Sequence, residues 1–157
     1  MVSFIVFLGI KDSCIFYGAD ISHINELDSI PLPAKTLFED IRRLATSLEP
    51  TEAGYLAYAR ALTYWNRTHL YCGRCGSPTE SKKGGHERHC MGESCKSIHF
   101  PRTDPAVIML VTHPHDDKCL LGHNKRFKGL RFSTIAGFVE PGESLEHAVA
   151  REVKEET

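Results

Sequence analysis

The chain carries almost no net charge, has no apolar run long enough to cross a membrane, and shows no signal-peptide pattern. Its formal charge is −1 over 157 residues, so the overall balance gives no electrostatic reason to expect nucleic acid as the main ligand, although local basic patches are allowed. The first ten residues are apolar, but they have no basic flank or small-residue cleavage site and break at Gly9 and Lys11-Asp12. They read as a strand, not as a leader. With 41% hydrophobic residues, the composition fits a soluble, intracellular protein of one to two small domains. An intracellular setting disfavours disulfides, so the six cysteines need another explanation.

Residues 2–8 and 14–17 are short β-type runs separated by Gly9 and Lys11-Asp12, a hairpin pattern. Cys14 lies in the second run and reads as a small buried hydrophobe. Beyond Pro31 and Pro33, Leu37, Phe38, Ile41, Leu44, Ala45 and Leu48 recur at helical spacing. Pro50 ends that helix and Thr51 can cap another over residues 53–67, with Leu56, Ala57, Leu62, Tyr64 and Trp65 as core. Residues 1–68 therefore read as a small α+β domain without a catalytic constellation.

Cys72-Gly-Arg-Cys75 and Cys90-x4-Cys95 follow, two cysteine pairs separated by fourteen residues. Each pair can form a tight knuckle, and four thiolates make a closed tetrahedral zinc site. Gly73 and Gly76 suit the first knuckle, and Gly84-Gly85 a turn between the halves. The rival, a pair of disulfides, is disfavoured by the expected compartment. His86, His89 and His99 are then surface or orienting groups, and a zinc with no open position is structural. Residues 69–100 thus read as a zinc ribbon.

After the ribbon, residues 106–111 read as a buried strand and 118–121 as its returning partner, with Cys119 as a core thiol. Between them His113, His115, Asp116 and Asp117 resemble a weak metal site, though a hairpin loop fits the composition better. Lys125, Arg126, Lys128 and Arg131 cluster between Phe127 and Phe132. They form either a solvated basic loop or a group that steers polyphosphate. A strand over 132–136 then enters a turn at Gly137.

From Gly137 to Thr157 the chain reads as a loop feeding a helix. Gly137, Pro141 and Gly142 force a sharp turn, Ser144 suits the helix N-cap, and Glu143 and Glu146 suit that end of the dipole. With Glu152 at zero on the helical wheel, Leu145, Ala148, Val149 and Val153 fall roughly between −40° and +100°. Glu152 and Glu156 fall inside this apolar stripe and Glu155 at its edge. Inward carboxylates without a partner are costly, and a hard divalent ion such as Mg²⁺ or Mn²⁺ resolves the conflict. A solvated acidic helix end is the alternative.

The spacing Gly137-x5-Glu143-x7-Arg151-Glu152-Val153-x-Glu155-Glu156 resembles the Nudix box at every position the chain contains. A ribbon directly before it, with a small α+β domain before both, resembles the NADH pyrophosphatase subfamily, the eukaryotic peroxisomal type most closely. Cys72-Gly-Arg-Cys75-Gly76, residues 99–105 and residues 136–143 carry the likeness. The wider Cys90–Cys95 gap and the lack of preceding ankyrin-type repeats depart from some members. The resemblance implies an α+β chain of three parts: an N-terminal domain over 1–68, the ribbon over 69–100, and the first half of a Nudix α/β/α sandwich over 101–157.

It implies hydrolysis of the diphosphate bond of NADH or NAD, and of NAD-capped RNA. Glu152, Glu155, Glu156 and the carbonyl of Ala136 would bind Mg²⁺ or Mn²⁺, with Glu155 shared between ligation and base. Arg151 would orient the carboxylates, and Phe100 would stack near the nucleotide. A homodimer in the peroxisome or cytoplasm is also implied. The sequence stops where the motif's closing glycine would follow, so the alternatives are a noncatalytic, truncated product that dimerises with a full-length partner, or a ribbon module for nucleic acid using Lys82, Lys83, Arg88 and Lys96.

Overall fold

The computed structural model describes residues 3–26, 30–126 and 129–157. Val2 of the expected first strand, and Phe127 and Lys128 of the expected basic loop, lie outside the described residues. The chain divides into two compact units, Met1–Arg102 and Thr103–Thr157. Its secondary structure is α+β, and among the described residues no helix is long and apolar enough to cross a membrane.

In the first unit, β1 (Phe4–Lys11) and β2 (Cys14–Asp20) form an antiparallel hairpin. The reversal is made by Asp12 and Ser13, with φ of 50° and 62°, as a two-residue turn between twisted strands requires. Gly9 is a bulge instead of a turn. The register steps from Phe7↔Tyr17 to Gly9↔Phe16, and its φ of 139° is open only to glycine. The hairpin packs on α2 (Pro50–Thr68), burying Val6, Leu62 and Trp65. Gly18 permits this approach, since a methyl there would press on Val6 and Ala59.

Several expectations for this unit are corrected. Thr51 does not cap α2. Pro50 takes the first helical position, so Glu49 becomes the cap, its carboxylate accepting from the amides of Thr51 and Glu52. The helix expected around 37–48 shrinks to α1 (Ile41–Leu44). Leu37 is 81% exposed, and an apolar stripe with nothing to pack on does not sustain a helix of that length. Leu56, Ala57 and Tyr64 are exposed. Cys14 is exposed too; it pairs with Lys11 at the turn end of the hairpin.

The ribbon is a three-stranded antiparallel sheet of β3 (Thr79–Lys82), β4 (Glu87–Cys90) and β5 (Ile98–His99). A 3₁₀ turn at Lys83–Gly85 joins β3 to β4. Gly85, at φ 91°, lies so close to Val6 that any Cβ would collide with it. Asn66 of α2 donates to the Gly85 carbonyl at 2.8 Å. Arg88 is only 6% exposed. It donates to the hydroxyl and carbonyl of Thr79, both at 2.7 Å, and to the carbonyl and side-chain oxygen of Asn66. Arg88 is therefore a buried strut between β4 and α2, not a contact for nucleic acid, and burial lowers its pKa. Lys82 is paired with Glu80 at 2.8 Å, which further thins the charge expected for such a module.

In the second unit, β6 (Ala106–Met109) pairs antiparallel with β7 (Ile135–Phe138), and α3 (Leu145–Glu156) covers one face. Val107, Met109, Ile135 and Ala148 form the core, with Val139, Val149 and Val153 beside it. Leu145, expected on the buried side of α3, is 57% exposed, being the first helical residue and beyond the end of the two-stranded layer. The expected strand at 118–121 is reduced to isolated pairings, Thr112↔Cys119 and Gly122↔Ser133. Cys119 is accordingly exposed. Residues 112–117 form a hairpin loop closed by His113 N–H to Lys118 O at 2.9 Å. Asp116 there is paired with Lys118, and His113 and His115 belong to no metal-ready group among the described residues.

Candidate functional site

Two separate chemistries are laid out, one in each unit. In the ribbon, the Sγ atoms of Cys72, Cys75, Cys90 and Cys95 all lie within 4.8 Å of one another. Cys72 and Cys95 are 3.8 Å apart and Cys75 and Cys90 3.4 Å. Four sulfurs around one zinc at tetrahedral bond lengths stand about 3.8 Å from each other, so the quartet fits that ion. All six cysteines are free thiols.

Local backbone geometry prepares the thiolates. Gly76, at φ 74°, turns its N–H back to the Cys72 carbonyl at 2.8 Å, while Arg74 N–H reaches the Cys72 sulfur and Gly92 N–H the Cys90 sulfur. Hydrogen bonds from Ser77 bring the Cys75 thiol down to about 6, whereas burial pushes Cys90 up to about 12. His99 Nε2 lies 3.2 Å from the Cys72 sulfur and orients it. His86 bridges the Tyr58 hydroxyl and the Phe7 carbonyl, and His89 pairs with Glu87.

In the second unit the organising residue is Arg151. Its Nε and one terminal nitrogen grip both oxygens of Glu143 at 2.9 Å. The same terminal nitrogen donates to Phe138 O at 2.9 Å, and the other reaches Glu152 at 2.8 Å and Glu155 at 3.4 Å. One guanidinium thereby ties the loop, the end of β7 and α3 together. Glu143 also accepts from its own loop's Glu140 N–H, and Ser144 caps α3 by accepting from His147 N–H. The Arg151 guanidinium holds the Glu143 carboxyl below its ordinary value, and the carboxylates raise Arg151 in turn.

The expected carboxylates are distributed unevenly. Glu152 is 12% exposed at its side chain and rests on Gly137, where an added methyl would overlap its carboxylate. That contact gives Gly137 its physical reason. Glu155 is 60% exposed. Glu156, expected in the apolar stripe beside Glu152, is exposed, since β6 and β7 reach only part of the stripe. Glu156 and Ala136 share a hollow of about 340 Å³ with Gly122, His123, Asn124, Ser133, Thr134 and Ile135. Among the described residues the carboxylates of Glu152, Glu155 and Glu156 do not form a compact trio, as expected for like charges without a cation between them. Phe100, in the first unit, is 64% exposed.

Sequence reasoning missed the Glu143 clamp, although the fixed interval from Glu143 to Arg151 signalled it: one turn of loop and two of helix return the two side chains to each other. It also passed over His123 and Asn124, which carry no motif.

Three family models match in succession: an NADH pyrophosphatase-like rudimentary NUDIX domain over residues 3–65, an NADH pyrophosphatase zinc ribbon domain over 67–100, and a NUDIX domain over 102–157. The chain belongs to the Nudix family. Curated relatives include the NAD-capped RNA hydrolase NUDT12 of Homo sapiens, 46% identical over 70% of this chain and 25% of the relative. Nudix hydrolase 19, chloroplastic, of Arabidopsis thaliana is 35% identical over 98% of this chain and 36% of the relative. The NAD-capped RNA hydrolase NudC of Stutzerimonas stutzeri is 40% identical over 76% and 42%. The chain thus spans about a quarter to two-fifths of the length of these relatives. α3 is its Nudix helix, and the cysteine quartet is its zinc centre.

Proposed function

We propose that this protein hydrolyses the diphosphate linkage of NADH and NAD, yielding the nicotinamide mononucleotide and AMP, and that it also accepts the NAD cap of RNA. The observation that carries this reading is the Nudix loop and helix held in register by Arg151, with Glu152 laid over Gly137 and Glu156 facing Ala136 across the hollow. The names of the relatives favour a hydrolase over a noncatalytic product.

The oxygen donors suit a hard cation. Glu152, Glu155, Glu156 and the Ala136 carbonyl would hold Mg²⁺ or Mn²⁺, which when bound supplies charge neutralisation at the phosphoryl oxygens and acidifies a bound water. Glu155, the more exposed of the two helix carboxylates bonded by Arg151, would take the proton that the water gives up, a role its exposure supports. Arg151 has its donors on Glu143, Glu152, Glu155 and Phe138 and acts by positioning. The ribbon zinc has four sulfur ligands and no open position, so it holds structure. On the family resemblance, the proposal extends to a homodimer in an intracellular compartment, peroxisome or cytoplasm.

The test is incubation of the purified chain with NADH and Mg²⁺ or Mn²⁺, resolving AMP and reduced nicotinamide mononucleotide by chromatography, with Glu156→Gln as control. Metal-dependent product that vanishes in the variant is the expected outcome. No product from folded, zinc-loaded chain would count against activity of this chain.

A further inference from the structure

The hollow shared by Ala136 and Glu156 has a second wall. Gly122 and Ser133 exchange both backbone hydrogen bonds, Gly122 N–H to Ser133 O at 2.8 Å and Ser133 N–H to Gly122 O at 3.0 Å. One residue further along each segment, His123 Nδ1 donates to the Arg131 carbonyl at 2.8 Å, and its ring lies 5.4 Å from that of Phe132. The carbonyl can only accept, so Nδ1 carries a proton, and Nε2, the ring nitrogen left for a ligand in the hollow that His123 lines, accepts when the ring is neutral and donates to an anion only as the imidazolium. Asn124 is fixed similarly: its side-chain oxygen accepts from Arg126 N–H at 3.0 Å, leaving its amide N–H groups as donors. Ser133 and Thr134 add hydroxyls to the same lining.

Glu156 and Ala136, which offer oxygen acceptors, therefore line one hollow together with the amide donors of Asn124 and the hydroxyls of Ser133 and Thr134. A diphosphate with a cation on one side presents its remaining phosphoryl oxygens to the other, and those oxygens need donors. We propose that His123, as the imidazolium and with Asn124 beside it, is a substrate-binding residue that donates from Nε2 to the phosphoryl oxygens of a diphosphate seated in this hollow. This rests on the diphosphatase reading and adds to it a side chain of the same hollow that belongs to neither the carboxylates nor the Arg151 clamp. His123 is held by its own bond to Arg131, beside the two Gly122–Ser133 backbone bonds, and takes no part in the Arg151 clamp, so it can be altered without disturbing α3.

The experiment uses inorganic pyrophosphate as the probe, with Mg²⁺, and the full chain loaded with zinc. Isothermal titration is run on wild type, His123→Ala and His123→Gln, and imidazole ¹⁵N spectra are recorded on wild type. Unchanged zinc content and near-UV dichroism verify that each variant is folded. The expected result is a shift of the His123 Nε2 resonance on binding, about tenfold weaker binding in His123→Ala, and recovery of most of the loss in His123→Gln, whose amide can donate from a similar place. In the NADH assay, KM should rise about tenfold in His123→Ala with kcat changed by less than about twofold, as loss of uniform binding predicts. Equal pyrophosphate affinity in wild type and His123→Ala, or no binding by wild type, overturns the proposal. Wild type that binds pyrophosphate through His123 but leaves NADH intact would overturn the diphosphatase reading alone. NADH hydrolysis with an unchanged KM in His123→Ala would overturn this proposal and leave that reading in place.

Discussion

The ribbon and the Nudix helix both gather charged or ionisable ligands, yet they solve the problem differently. The ribbon converges four thiols from a stretch of twenty-four residues, and its own backbone amides and His99 already point at the sulfurs. The helix instead parts its carboxylates: Glu152 goes to Gly137 and Arg151, Glu155 to solvent, Glu156 to the hollow. Thiols can be protonated and packed together while they wait for a metal, whereas carboxylates at neutral pH are already charged and repel. A closed structural centre can thus be preformed by its local chain. On the proposed function, the carboxylate site is only poised, for a cation and substrate to complete.

The largest expected effect breaks the ribbon side. Cys72→Ser should abolish zinc retention, measured by elemental analysis, and unfold the ribbon by circular dichroism, because structural zinc contributes on the order of 10–16 kcal/mol in small ribbons and fingers. Because Arg88 and Gly85 tie the ribbon to α2, the loss should spread through the first unit. If α2 and the hairpin melt unchanged, the two parts are energetically separate.

A smaller effect is expected on the helix side. Arg151→Ala should leave zinc content untouched and lower Mn²⁺ affinity, or activity, about 10–100-fold, as loss of an outer partner of ligating carboxylates does. Electron paramagnetic resonance of bound Mn²⁺ reads this directly, and unchanged affinity would deny Arg151 its positioning role.

The smallest effect separates the clamp's charge from its shape. The Glu143 carboxyl is held below its ordinary 4.5 by Arg151, so its folded pKa is depressed relative to the unfolded chain. Its contribution to stability is then fully present above pH 4.5 and lost as pH falls through the lowered folded value. Thermal midpoints recorded on the acid side of neutrality should fall in wild type as the solution is acidified and respond less in Glu143→Gln. Identical acid limbs in the two proteins would show that the pair adds nothing.

How far these features could be read in advance depended on whether spacing alone determines contact. Cysteine knuckles are such a case: two residues between the thiols of the first pair and four between those of the second bring each pair round a turn, and the quartet is close together. Glu143 and Arg151 are another, since loop and helix pitch fix their meeting. Elsewhere the outcome depended on what was available to pack against. Leu37, Phe38 and Leu48 have helical spacing, but only four residues of α1 form. Cys14 and Cys119 sit in apolar company, but Cys14 lies beside the hairpin turn and Cys119 in an isolated pairing, and both are exposed. His123 was invisible for a different reason. Its place in the hollow depends on the Gly122–Ser133 pairing across a loop, and no periodicity records which residues face each other across a loop.

The polar seam of Asn66, Gly85 and Arg88 bears on how such proteins can be taken apart. The first two family models meet between residues 65 and 67, which invites a cut at that point. Such a cut would take Asn66 from the carbonyl of Gly85 and from a guanidinium that has no carboxylate partner among the described residues, exposing a strut built for burial. The modules that recur in sequence are therefore not the pieces that would survive separation, and the smallest transplantable ribbon includes the helix before it.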